Sequence, residues 1–99
     1  MTVQIPENWA DVKGKLLDSY PSKVAEGFVT LEVKASGVKG VEGFKNFLED
    51  KKEEVIYVNV PEALAQSMEL KPGAKVSCRV RVAGQTRKLF AHPERVKVE

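Results

Sequence analysis

Val55-Ile56-Tyr57-Val58-Asn59-Val60, then Pro61-Glu62-Ala63-Leu64, Leu70-Lys71-Pro72-Gly73 and Ala74-Lys75-Val76-Ser77-Cys78-Arg79-Val80-Arg81-Val82-Ala83, is the passage on which the fold turns. Its first six residues are nearly all β-branched or aromatic, which predicts a strand. Pro61 ends that strand and opens a helical turn over residues 62–68, where Leu64 and Met68 share a face at i, i+4. Pro72 and Gly73 supply a turn, proline by presetting φ and glycine by relaxing the next position. From 74 to 83, apolar and polar residues alternate. Val76, Cys78, Val80 and Val82 are expected to face inward, with Lys75, Ser77, Arg79 and Arg81 outward.

Downstream, Gly84-Gln85-Thr86 reads as a hairpin connection into a strand over 87–91. His92-Pro93-Glu94 interrupts that strand, and 95–99 forms a last short one with Val96 and Val98 inward. Upstream, residues 27–34 alternate cleanly, with Val29, Leu31 and Val33 on one face. Gly37, Gly40 and Gly43 mark a flexible connection without the residues of a phosphate loop. Phe44, Phe47 and Leu48 favour a short helix up to Lys51, with a short strand over 44–48 as the alternative. Residues 6–20 read as a helix that covers one end or face of the sheet. Pro6 suits its first turn, and Trp9, Val12, Leu16, Leu17 and Tyr20 form one apolar stripe. Trp9, Leu16 and Tyr20 are expected in the core, or at a dimer surface if the helix packs poorly.

The chain therefore reads as one α+β domain, mainly β, with a helix at 6–20 and a small five-stranded antiparallel barrel over 27–99. A short helix lies between two of the strands. Residues 55–98 resemble the second half of an OB-fold barrel, in which a helix lies between the third and fourth strands. The resemblance implies a non-catalytic domain whose barrel face takes single-stranded nucleic acid or oligosaccharide. Residues 60–84, with Val60-Pro61-Glu62-Ala63-Leu64 and Leu70-Lys71-Pro72-Gly73-Ala74-Lys75-Val76, also resemble the swapped-hairpin transition-state regulators and antitoxins, which are DNA-binding dimers. Those domains usually carry an aspartate where Ala74 stands and are about half this length.

Charge distribution points the same way. Residues 71–99 hold eight Lys and Arg against two Glu, a net +6, so the overall +2 leaves −4 on residues 1–70. An anionic partner on the C-terminal half is the expectation. Lys75, Arg79 and Arg81 share one strand face, and Arg87 and Lys88 join them from the hairpin partner. These five are expected to contact phosphates, while Tyr57 and Phe90 stack bases. The competing reading is a solvated face whose arginines pair with Glu32 or Glu54 across strands. An interaction or assembly domain, acting through a strand edge or the Trp9 helix face, is the alternative function, with a protein partner or a second copy as ligand.

Other classes recede. His92, the one histidine, has no nucleophile or orienting group near it in sequence, so no catalytic centre is expected. Cys78 reads as a buried small hydrophobe, and neither metal nor cofactor is expected. Glu49, Asp50, Glu53 and Glu54 lie in a mixed-charge run that reads as a solvated turn. No apolar run nears the roughly 20 residues that span a bilayer. Residues 1–6 lack a signal-peptide pattern, so no membrane partner and a cytoplasmic location are expected.

Overall fold

The N-terminal apolar stripe belongs to a strand. A computed structural model describes residues 7–83 and 88–99. In it β1 (Ala10–Pro21) and β2 (Phe28–Gly40) pair antiparallel. The helix expected over 6–20 is thus overturned from residue 10 onward, Pro6 lying outside the described residues. The inward positions of β1 are Ala10, Val12, Gly14 and Leu16, all buried. Two of the four have little or no side chain, so their period of two is nearly silent in the sequence while a helical spacing of larger residues stands out. The stripe itself is split. Leu16 is fully buried, Leu17 is exposed, and Trp9 and Tyr20 are half-buried on the outer side.

Gly14 explains how β1 fits. A Cβ there would lie 2.7 Å from Val33 Cγ1 and 2.9 Å from the Lys34 carbonyl carbon, with the Lys34 carbonyl oxygen nearer still. Only a residue without a side chain permits so close an approach of two strands. The register shifts between Lys13 and Gly14 and again between Leu16 and Asp18. Such bulges bend a strand and strengthen its twist. β1 also pairs along its other edge with β4 (Lys75–Ala83), from Ala10↔Val80 to Lys15↔Lys75.

The remaining elements are β3 (Val55–Pro61), α1 (Glu62–Ser67) and β5 (Lys88–Val98), and the strands close a barrel in the order β1-β2-β3-β5-β4. The sheet is mixed, not antiparallel as expected. A ring of five strands cannot alternate direction all the way round, and the parallel contact falls between β3 and β5. It spans two pairs, Val58↔Leu89 and Asn59↔Phe90. The Asn59 side chain reinforces this short seam. Its Nδ2 donates to the Leu89 carbonyl at 3.0 Å, while its Oδ1 accepts from Thr30 Oγ1 at 2.7 Å and Ser22 Oγ at 2.9 Å. Asn59 and Thr30 are buried, where an unmade hydrogen bond costs about 1–3 kcal/mol.

Leu16, Leu31, Val33, Val58 and Val80 are among the side chains that fill the interior. Cys78 is buried with them, and its thiol is pushed up to about 12, by burial first and by the Asp11 charge second. α1 sits between β3 and β4, where the sequence placed a helix, and buries Ala65. Residues 44–51 form neither the helix nor the strand anticipated. Glu49–Lys51 is a single 3₁₀ turn, and Lys45 makes an isolated bridge to Asn8. β5 runs unbroken through His92-Pro93-Glu94, because these residues lie in a bulge opposite Arg79 where the ladder needs no N–H from proline. Among the described residues, no helix is long and apolar enough to cross a membrane.

Replacing Gly14 with alanine is expected to destabilise the protein by about 2 kcal/mol, since backbone must move to admit the methyl group. Thermal unfolding checks this: a drop of roughly 10 °C is the expected result for a domain of this size.

Candidate nucleic-acid interface

Because β1 is paired on both edges, its outward residues have neighbours on each side. Lys15 lies opposite Lys34 on β2 and opposite Lys75 on β4. Three lysines therefore form one row across three adjacent strands, all exposed. One step along, Lys13 faces Ser77, which in turn faces Lys97 on β5. Like charges directly opposite in a sheet repel. None of Lys13, Lys15, Lys34 and Lys75 has an acidic partner among the described residues. This cationic face costs folding energy and offers it back to an anion.

The next step is different. Asp11 sits opposite both Arg79 and Lys39. Arg79 Nε donates to Asp11 Oδ1 at 2.8 Å and its Nη2 to Oδ2 at 3.1 Å, a two-pronged pair. The hydrogen bond from Arg79 is the main cause that holds the Asp11 carboxyl below its ordinary value, with the charges of Arg79, Arg95 and Lys39 adding to it against partial burial. Arg79 is thus engaged within the protein. Its partner is neither carboxylate suspected from the sequence: Glu32 accepts the Tyr20 hydroxyl at 3.1 Å, and Glu54 pairs with Lys51 at 3.6 Å.

At the end of the same face, Arg81 is exposed and its guanidinium carbon lies 5.9 Å from the centroid of the Trp9 ring. The Trp9 and His92 rings stand 5.4 Å apart, tilted by 52°. Phe90 is half-buried and packs edge-on against Phe28, centroids 5.4 Å apart. Lys88 is exposed at the start of β5. Arg87 lies outside the described residues. Tyr57 is 52% exposed on β3, two residues from Val55, which lies opposite Lys34 and so continues the lysine row.

Of the seven residues singled out by sequence, Lys75 therefore joins a cationic row and Tyr57 lies beside its far end. Arg79 and Phe90 are engaged by internal partners. Lys13, Lys15 and Lys34 were missed. Their signal was present, since Lys13 and Lys15 alternate with Val12, Gly14 and Leu16, but the helical spacing of Trp9, Val12, Leu16 and Tyr20 hid it.

The lowered Asp11 value has a sign. The unfolded chain binds a proton more readily than the folded one, so the pair stabilises fully above the ordinary aspartate value of about 3.9 and is lost as pH falls through the lower folded value. Arg79→Ala is expected to unfold at lower temperature than the unaltered protein at neutral pH, and that gap is expected to narrow below about pH 4. Melting curves of both proteins between neutral pH and pH 3 check it.

The barrel is similar to a solved structure, the dimeric N-terminal domain of PriB protein from Thermoanaerobacter tencongensis. The TM-score is 0.57 over 93% of this chain and 96% of that one, at 14% sequence identity. No family model and no curated protein matches the chain. The likeness and the closed five-stranded barrel make this an OB-like fold. Residues 60–83, quoted also for the swapped-hairpin resemblance, supply the β3–α1–β4 passage of this barrel.

Proposed function

We propose that this barrel is a non-catalytic module that binds single-stranded nucleic acid along the outer face of β1 and β4. The observation that supports it is the row Lys34, Lys15 and Lys75, three adjacent ammonium groups without acidic partners among the described residues. A phosphate chain laid along them replaces mutual repulsion by attraction and releases its own counterions. Lys13 extends the row toward Arg81, and Tyr57 offers an exposed ring at its other end. A cationic track beside an exposed aromatic ring suits a single strand, whose bases are free to stack. OB barrels bind oligonucleotides on the face of strands 2 and 3, which here carries Lys34 and Tyr57. Lys75 keeps the role given it from sequence, with Lys13, Lys15 and Lys34 in place of Arg79. Lys88, opposite Ala83 at the far end of β4, adds a further positive charge beyond Arg81.

Fluorescence anisotropy of an end-labelled oligothymidylate, read over a series of salt concentrations, tests this proposal. Replacing Lys15 and Lys75 together by alanine is expected to weaken binding and to lower the log–log salt slope by about 1.4, near 0.7 for each phosphate no longer neutralised. Absence of binding at low salt, or an unchanged slope in the double variant, contradicts it. Melting temperature is not expected to fall in that variant, because the row repels itself.

A further inference from the structure

We propose that Trp9, Arg81 and His92 form a stacking platform for one nucleobase of a bound single strand, a proposal that rests on the nucleic-acid reading above. Trp9 is the chain's one tryptophan, and it is half-buried on the outer face rather than in the core. The Arg81 guanidinium approaches its ring at 5.9 Å and the His92 ring stands 5.4 Å away, so a cation and a second aromatic ring flank it. Indole with a guanidinium beside it is the combination that holds a base by stacking and cation–π attraction.

The backbone holds the platform before any ligand arrives. The Asn8 side chain clamps Val82 at both ends, accepting from its N–H at 2.8 Å and donating to its carbonyl at 3.1 Å. Ala10 pairs with Val80 on the other side of Trp9, and the Trp9 N–H donates to the Lys45 carbonyl at 3.1 Å. The Glu94 N–H donates to His92 Nδ1 at 3.1 Å and fixes that ring within its bulge, leaving Nε2 to a ligand. Little ordering entropy is left to lose when a base docks.

Position links the platform to the lysines. Trp9, Asp11, Lys13 and Lys15 occupy alternate positions that point outward along β1, so Trp9 lies about 20 Å from Lys15 at roughly 3.3 Å per residue. A strand held by the Lys34–Lys15–Lys75 row and running along β1 brings a base to Trp9.

Because Trp9 is the one tryptophan, its emission reports this place and no other. The unaltered protein is titrated with oligothymidylate and with an abasic oligomer of equal length, unlabelled for emission and end-labelled for anisotropy. Thymidylate is expected to quench the emission and the abasic chain to leave it unquenched. Trp9→Ala is expected to weaken thymidylate binding roughly tenfold and to leave abasic binding far less changed. Thymidylate that binds by anisotropy with emission unchanged overturns the platform and leaves the lysine row standing. Equal quenching by both oligomers overturns base stacking. Failure of both oligomers to bind overturns the nucleic-acid reading and the platform with it.

Discussion

The fold and its cationic face both depend on the missing side chain at Gly14. At this point β1 lies so close to β2 that any Cβ would meet the Lys34 carbonyl. The β1–β2 ladder is irregular on each side of the contact, with Ser36 extra on β2 and Leu17 extra on β1, and Gly14 pairs with Ala35 on one edge and Val76 on the other. That double pairing seats β1 between β2 and β4. It also fixes which residues stand side by side. Since side chains alternate with a period of two, a slip of one position would turn Lys13 and Lys15 into the interior and Val12 and Leu16 out of it. The burial of Val12 and Leu16 and the alignment of Lys15 between Lys34 and Lys75 are therefore one constraint seen from two faces.

Closure sets the second condition. An odd ring of strands must contain a parallel contact, and here that contact is two residue pairs long. Asn59 compensates with side-chain bonds that reach β2, the β1–β2 connection and β5. The polar residue in an otherwise apolar strand is thus part of the barrel's closure. The same row around the barrel carries Phe90 and then Arg81 on the outer face, where Phe90 packs edge-on against Phe28.

β3, β4 and α1 were legible in the sequence because each shows one signal without competition: strict alternation, a β-branched run, or a proline at a helix start. β2 was legible over 27–34 alone, since Ser36, Gly37 and Gly40 made its continuation to Gly40 read as a break and a flexible connection. β1 was not, because Ala10 and Gly14 leave the inward face with too little side chain to reveal its period. β5 was read as two pieces because Pro93 usually ends a strand, and only the bulge opposite Arg79 shows why it does not here. The count of five strands survived by compensation, one strand divided and another taken for a helix. The site followed the same division. Lys75 could be placed because its own strand alternates. The partner of Arg79 could not, since it lies 68 positions away across a strand pairing that no local pattern encodes. Trp9 reads as a core anchor in any helix, and only the true strand register turns it outward beside Arg81.

The most direct test of the β1–β4 face is an amide-resolved NMR titration with a short oligothymidylate at low salt. Shifts centred on Lys13, Lys15, Lys34, Lys75 and Ser77, fading as salt is raised, are the predicted result. Shifts confined to α1 and the β1–β2 connection near Gly27, or no shifts at a saturating oligonucleotide concentration, would contradict it.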